Sequence, residues 1–194
     1  LSQAALEALA PTASVLLTQL ETPSALTRHI AARGRALGMT VVLDPAPAAP
    51  LDPEVWRSID IVTPNETEAG LLSGIDVTDA ASAERAGRWF LAQGVGAAVV
   101  TLAERGSVVV TSEDAVLVDP IPVQAVDTTA AGDTYAGYLG AALAQGLSLA
   151  DATRIATAAG ALAVTRQGAS ASIPVRTDVD ALLARRSEPS AVCS

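Results

Sequence analysis

The stretch from Asp127 to Gly146, DTTAAGDTYAGYLGAALAQG, is the part of the sequence that decides the fold. Apolar residues recur at helical spacing from Tyr135 to Leu143, and Ala and Gly fill most positions between them. Thr128 and Thr129 are residue types that favour the N-cap. The pattern therefore predicts a helix that begins near residue 130 or 131.

The first turn of this predicted helix is suited to bind an anion. Its amide groups have no acceptor inside the helix, and Ala130, Ala131 and Gly132 have almost no side chain to cover them. Asp133 stands among these donors, where a carboxylate can take the proton of a group that attacks the anion. Phosphoryl transfer needs both parts. A capped, alanine-rich core helix, with Asp133 favoured by the helix dipole, is the alternative, and this stretch alone leaves both open.

The composition excludes several classes of function. The chain has 194 residues, which fits one large domain, and a net charge of −9 without a basic cluster, which argues against nucleic acid and anionic membranes as partners. All 12 basic residues are Arg, so the chain can hold neither a Walker A phosphate loop nor a lysine Schiff base. Cys193 is the sole cysteine, which argues against disulfides and a cysteine-rich metal site. With no membrane-length apolar run and no secretory signal in view, we expect a cytoplasmic protein.

Predicted strands and helices alternate along the chain. We expect strands at 15–17, 40–43, 59–62 and 97–102, and a hairpin of strands 108–110 and 116–118. We expect further helices at 2–9, 23–37, 51–58, 65–72, 80–93, 149–165 and 178–185. The alternation predicts an α/β fold in which a mostly parallel sheet lies between two layers of helices. We assign residues 1–186 to this domain and 187–194 to a disordered tail.

Ligands of such sheets bind beyond the carboxyl ends of the strands. The residues that follow predicted strands, and that this rule gathers at one edge, are Glu21, Asp44, Asn65, Ala103 and Asp127. Glu21 is either a plain turn carboxylate or an acceptor for substrate hydroxyl groups.

The segment TPNETE opens a predicted helix after a strand. Asn65 and Glu68 have the spacing of a capping box, which is a purely structural role. The functional alternative is that both face phosphate groups and hold Mg²⁺ through water, since Mg²⁺ keeps several of its waters.

Two other loops allow a structural and a functional interpretation. The segment 101–106, TLAERG, is either a turn with Gly106 at positive φ or a nucleotide-contacting loop with Arg105 near phosphate. The segment 165–172, TRQGASAS, is either a helix end capped by Gly168 or a cation site made of carbonyl groups and Asp127.

Six segments in this order resemble the ribokinase-like carbohydrate kinase family: QLETP, VVLDPAPA, TPNETEAGLLSG, VTLAERG, VQAVDTTAAGDTYAG and AVTRQGASAS. The resemblance covers about residues 1 to 186, and the DTTAAGD segment is specific for the family. Within the family, TPNETEA and VTRQGA point to the members that phosphorylate ribose. The resemblance implies a three-layer α/β/α Rossmann-like fold, here truncated at the N-terminus, and ATP-dependent phosphorylation of the 5-hydroxyl of D-ribose.

The resemblance also implies roles for single residues. Asp133 matches the catalytic base and contacts the sugar, Gly132 with the preceding amide of Ala131 matches the anion hole, and Glu21 matches a ribose-binding carboxylate. The implied ATP contacts are Asn65, Thr101, Ala103, Glu104, Arg105, Gly106, Gly132 and Thr157. Glu68 matches a Mg²⁺-associated carboxylate. The implied K⁺ site consists of Asp127, Thr129, Ala163, Arg166, Gly168 and Ser172, several through backbone carbonyl groups.

The sequence departs from the family pattern in three respects. Ala103 stands where Gly is usual, and Thr157 stands where Asn or His commonly lines the adenine pocket. The chain also starts about where the second half of the family begins, without the lid and its Gly-Gly-Lys-Gly-type motif. We therefore expect this fragment to be inactive alone and the full-length form to be a homodimer. Another sugar or nucleoside kinase of the family, and a non-catalytic nucleotide-binding module, are the alternatives.

Overall fold

The computed structural model describes Ala8 and residues 12–187. Among these residues, six strands form one sheet in chain order: β1 (Val15–Thr18), β2 (Thr40–Leu43), β3 (Ile61–Val62), β4 (Ala97–Thr101), β5 (Ser107–Val110) and β6 (Ala115–Val118). The first four strands are parallel, and β5 and β6 each run antiparallel to the strand before. The sheet is therefore mostly parallel, as the alternation of strands and helices predicts.

The described helices cover both faces of this sheet. They are α1 (Ser24–Ala36), α2 (Pro53–Trp56), α3 (Glu66–Ser73), α4 (Ala80–Gln93), α5 (Ala131–Ala144), α6 (Leu149–Ala163) and α7 (Arg176–Ser187). Successive side chains of a strand point to opposite faces. Accordingly Val41 and Leu43 pack in one core with Phe90 of α4, whereas Val42 packs in a second core with Leu139 of α5. These two cores confirm the three-layer α/β/α fold.

The predicted boundaries hold for most elements and shift for some. The predicted strand 59–62 shortens to Ile61–Val62, because the Ile59 amide donates to the Trp56 carbonyl at 3.1 Å and closes the preceding helix. The predicted helix 51–58 shortens to Pro53–Trp56, because the Asp52 side chain caps its start. Apart from Ala8, the predicted helix 2–9 lies outside the described residues, and so does the predicted tail apart from Ser187.

The site is organised by the sheet edge at which β1 to β4 end, which we call the C-terminal edge. Because β5 is antiparallel to β4 and β6 to β5, the hairpin leaves this edge and returns to it, so Ser107 and Val118 pair there. The hairpin turn 111–114 lies at the opposite edge. No helix among the described residues is long and apolar enough to cross a membrane.

Candidate active site at the C-terminal edge

Asp133 lies in the first turn of α5, where its exposed carboxylate meets the end of β1. The Gln19 side-chain amide donates from Nε2 to Asp133 Oδ1 at 3.0 Å. Gln19 directly follows β1, so this bond fixes the start of α5 against the carboxyl end of that strand. Glu21 is exposed two residues further along the same turn. The structure thus gathers the predicted base and the predicted sugar-binding carboxylate on one side of the edge.

Asp44, which directly follows β2, is a third carboxylate of this region. Its pKa is raised from 3.8 to about 6, first by burial and then by the negative charges of Glu68 and Asp133, while hydrogen bonds from Gln19 and the Ala46 amide oppose the rise. The carboxylate of Asp44 is therefore close enough to interact with those of Glu68 and Asp133, which come from two other elements.

The start of α5 corrects one expectation. The helix begins at Ala131, as predicted, but neither Thr128 nor Thr129 caps it with a side chain. The N-cap is Ala130, in a left-handed conformation with φ of 59° and no side-chain cap hydrogen bond. The Thr129 amide is used elsewhere, because it donates to Asp127 Oδ1 at 2.9 Å.

This irregular start leaves backbone donors exposed. The Ala131 amide donates to the Thr128 carbonyl at 3.2 Å, but the amides of Gly132 and Asp133 have no acceptor among the described residues. A Cβ added at Gly132 would meet nothing within 4 Å. Two free amides with open space beside them are the arrangement that an anion needs at a helix start. The neighbouring Asp133 carboxylate adds a group that can accept a proton. Of the amides predicted to form the anion hole, those of Gly132 and Asp133 are therefore free, whereas that of Ala131 is bonded to the Thr128 carbonyl.

Asn65 and Glu68 form the capping box that their spacing predicts. The Asn65 amide donates to Glu68 Oε2 at 2.9 Å, and the Glu68 amide donates to Asn65 Oδ1 at 2.9 Å. The structural role is therefore present. It leaves one carboxylate oxygen of Glu68 without a role in the cap, and the influence of Glu68 on Asp44 places that carboxylate near the edge.

The loop 101–106 is attached directly to this capping box. Asn65 and Thr101 form an isolated parallel bridge, and the Thr101 amide donates to the Pro64 carbonyl at 2.9 Å. Ala103 adopts a φ of 48°, a left-handed value that favours glycine. Gly106 has a φ of 91°, and a Cβ there would lie 2.2 Å from the Val118 carbonyl oxygen. The loop is therefore held in one shape between α3 and the end of the hairpin.

The two charged side chains of this loop, Glu104 and Arg105, differ in their contacts. The Arg105 guanidinium pairs with Glu66 at 2.8 Å and also donates to the Thr78 carbonyl. Arg105 thus ties the loop to α3, and phosphate contact would require it to leave these partners. Glu104 is exposed.

The predicted cation loop meets the segment before α5. Asp127 Oδ2 accepts a hydrogen bond from the Gly168 amide at 3.0 Å, and the Val126 amide donates to the Val164 carbonyl at 2.7 Å. The hydrogen bonds of the Thr129 side chain, the Gly168 amide and the Thr129 amide lower the pKa of Asp127 to about 2. The predicted convergence of Asp127 with residues 165–172 is therefore observed.

Of the other predicted cation ligands, Ala163, Arg166 and Ser172 lie in or beside the same turn and Thr129 lies beside Asp127, with several of their groups engaged. The Ala163 carbonyl accepts from the Arg166 amide at 3.1 Å, and the Arg166 guanidinium pairs with Asp178 of α7 at 2.8 Å. Ser172 is buried, and its hydroxyl donates to the Ala169 carbonyl at 2.7 Å. Thr129 takes part through the backbone bond to Asp127.

Thr157 lies on α6, half-buried, and donates to the Thr153 carbonyl at 2.9 Å. It neighbours the Tyr135 hydroxyl, which is 3.3 Å from Ser107 Oγ. Burial raises the pKa of Tyr135 to about 12, so this hydroxyl stays protonated. Thr157 is thereby linked to the residue that directly follows the loop 101–106.

Two residues of this edge were not assigned a role from the sequence. Gln19 lies in the QLETP segment and Asp44 follows a predicted strand, but no sequence pattern predicts that either contacts the other site residues. A hydrogen bond that joins residues 114 positions apart has no local sequence signal. The order of the strands in the sheet was the one signal available, since β1 and β2 are neighbours.

The described residues contain no group of three or more His, Cys, Asp or Glu side chains that could enclose a metal ion. A Mg²⁺ ion would therefore take most of its oxygen ligands from phosphate groups and water, which suits its coordination. The turn beside Asp127 offers carbonyl oxygens and one carboxylate, which suits a K⁺ ion. Both Asp127 carboxylate oxygens and the Ala163 carbonyl already accept hydrogen bonds, so a bound K⁺ would share these groups with their present donors.

Comparison with known proteins agrees with this architecture. A match to the pfkB family of carbohydrate kinases extends over residues 1–176, and the chain belongs to that family. Among its relatives, the ribokinase of Haemophilus influenzae is 42% identical over 163 residues, which are 84% of this chain and 53% of that protein. The ribokinase of Staphylococcus aureus is 39% identical over 169 residues, 87% of this chain and 56% of that protein.

Solved structures show the same relationship. Arabidopsis thaliana ribokinase, in complex with ribose and ATP, has a TM-score of 0.88 and 33% identity, covering 94% of this chain and 59% of that one. Thermotoga maritima ribokinase has a TM-score of 0.83 and 36% identity, covering 92% and 59%. The chain spans slightly more than half the length of these relatives.

Proposed function

We propose that the protein containing this chain transfers the γ-phosphoryl group of ATP to the 5-hydroxyl of D-ribose. The observation that carries the proposal is the start of α5, where the Asp133 carboxylate stands beside the free amides of Gly132 and Asp133. The resemblance of the chain to ribokinases, one of which is in complex with ribose and ATP, supports the same substrates.

The residues divide the task as the chemistry requires. Asp133 accepts the proton of the attacking sugar hydroxyl, and the free amides receive the charge that develops on the transferred group. Glu21 accepts hydrogen bonds from other sugar hydroxyls. Asn65 and the loop 101–106, which the parallel bridge holds together, contact the nucleotide, and Thr157 lies on the adenine side.

Two ions complete the proposed site. When bound, Mg²⁺ neutralises charge on the phosphates, and K⁺ orders the turn before α5. Glu68 is the carboxylate that would hold Mg²⁺, through water. Asp127 and the turn 163–172 would hold K⁺ and fix the segment that leads into the free amides.

Asp133→Asn tests the proposal, with Asp151→Asn as a matched control. Each residue is the third of its helix, and each has an exposed carboxylate. The Asp151 side chain, however, bonds to Ser148 and Arg154, which are not among the proposed site residues. In the intact protein, Asp133→Asn should lower turnover by roughly 10²–10⁴, the usual contribution of a general base, and leave ATP affinity within a few-fold. Asp151→Asn should keep the turnover.

The assay is ribose-dependent ADP release, with a panel of sugars and nucleosides in parallel. Near-normal turnover of Asp133→Asn would assign the base to another residue. Preference for a different sugar or a nucleoside would keep the kinase mechanism and replace the substrate. ATP binding without turnover of any acceptor by the intact protein would identify a non-catalytic nucleotide-binding module.

A further inference from the structure

We propose that Gln19 is a positioning residue for Asp133: its side-chain amide holds the carboxylate in the orientation that accepts the substrate proton. The proposal rests on the proposed function, since it needs Asp133 to act as a base. It adds Gln19 to the proposed active site, at a position that belongs neither to the anion hole nor to the loops proposed to contact the nucleotide.

The backbone around Gln19 is fixed on both sides. The Asp44 amide donates to the Thr18 carbonyl at 2.9 Å, and the Leu20 amide donates to the Ala46 carbonyl at 2.9 Å. These bonds continue the pairing of β1 with β2 beyond the last residues of both strands. Gln19 is therefore presented by a rigid part of the sheet and not by a free loop.

The side chain of Gln19 is half-buried and serves two carboxylates. Its Nε2 donates to Asp133 Oδ1 at 3.0 Å, and its hydrogen bond to Asp44 opposes the rise in the pKa of Asp44. A primary amide has two N–H donors, so it can satisfy both carboxylates at once. Without the Gln19 amide, the carboxylates of Asp44 and Asp133, which repel each other, would lose a donor that they can share.

The geometry leaves the reactive part of Asp133 free. Gln19 engages Oδ1, so Oδ2 remains available to accept a proton. A hydrogen bond to one carboxylate oxygen restricts rotation of the group and so keeps the other oxygen in a fixed direction. Because misplacement of a reacting group by about 1 Å can cost about 10²-fold in rate, loss of this restraint should appear mainly in turnover.

The experiment compares Gln19→Met with Thr22→Val in the intact protein. Methionine keeps the length of the side chain and removes the amide donor. Thr22 lies in the same turn, and its hydroxyl bonds to that of buried Thr27 at 3.0 Å without contact to Asp133. Thr22→Val therefore reports a local structural loss alone.

Gln19→Met should lower kcat by about 10- to 100-fold and keep the KM for ATP within about twofold. Thr22→Val should keep kcat. A Gln19→Met protein with unchanged kcat, or with a loss confined to the KM for ATP, would overturn the positioning role. Thermal unfolding of both variants identifies any loss that comes from destabilisation, and equal losses of kcat in both would also overturn the role.

A second readout does not depend on catalysis. In nitrogen-labelled protein, Asp133→Ala should move the NMR signals of the Gln19 side-chain amide, and Asp151→Ala should not. Unmoved Gln19 signals would show that the bond is absent and would overturn the inference whatever the substrate. Absence of turnover in the unsubstituted protein with every acceptor would instead refute the proposed function, while the NMR result would still decide whether Gln19 holds Asp133.

Discussion

Asp44→Asn should stabilise the protein, and the gain should depend on pH in one direction. In the folded protein the pKa of Asp44 is raised from 3.8 to about 6, so ionisation of the carboxyl disfavours the fold. The stability that the protonated group provides is present below about pH 4 and is lost as pH rises through about 6. Asparagine does not ionise, and its side chain keeps one oxygen that can accept a hydrogen bond.

The magnitude follows from the interval between the two pKa values. From 3.8 to about 6, the interval corresponds to about 3 kcal/mol at 1.36 kcal/mol per pH unit. Asp44 is half-buried, so solvent screens part of its interaction with Glu68 and Asp133. We therefore expect Asp44→Asn to gain about 1–2 kcal/mol relative to the unsubstituted protein between pH 4 and pH 8.

Urea denaturation of both proteins at pH 4, 6 and 8 measures this difference. Asp79→Asn is a control of opposite sign, because hydrogen bonds from the Ser82 side chain and backbone lower the pKa of Asp79. Ionisation of Asp79 stabilises the fold, so Asp79→Asn should lose stability relative to the unsubstituted protein as pH rises. A difference for Asp44→Asn that stays constant from pH 4 to pH 8 would refute the argument that burial and neighbouring charge act on this carboxyl.

Two more predictions concern the loops. Ala103→Gly should raise the free energy of unfolding by up to about 1 kcal/mol. The left-handed φ of Ala103 costs an L-residue about 1–2 kcal/mol, and glycine removes this cost. Glycine also gains freedom in the unfolded chain, which lowers the stability by about 0.5–1 kcal/mol. Ala32→Gly, in the exposed interior of α1, should instead lose about 1 kcal/mol, and equal losses at both positions in urea would contradict the reasoning. Replacement of Na⁺ by K⁺ at constant ionic strength should raise the turnover of the intact protein, and Asp127→Ala should remove that rise. Equal rates in the two salts with Asp127 present would exclude the K⁺ site.

The layers of the fold could be predicted from local patterns. Short runs such as 40–43 and 97–101 consist mainly of β-branched and small apolar residues, and helical segments with Gly at their ends separate them. The parallel order then follows from the alternation. Asp133 could be placed at a helix start for the same reason, since its neighbours are short and the preceding residues are polar.

The details of the site depended on contacts between distant parts of the chain. Thr128 and Thr129 have the propensity of N-caps, but Asp127 engages the Thr129 amide and also reaches Gly168, 41 positions away. That link prevails over propensity and places Ala130 at the cap. Asp44 likewise has an ordinary local context, and its raised pKa arises from burial and from residues that other elements supply.

The hairpin runs from the C-terminal edge of the sheet, where the proposed active site lies, to the opposite edge. Its turn lies at this opposite edge, where the Thr111 hydroxyl accepts hydrogen bonds from the Glu113 and Asp114 amides at 3.3 and 3.1 Å. Arg88 of α4 supports the turn by donating to the Thr111 carbonyl at 2.6 Å. A fluorophore or an affinity tag placed at the exposed Ser112 would therefore lie at the edge opposite the proposed active site. This turn is therefore a position through which the protein can be immobilised or observed while the proposed active site stays accessible.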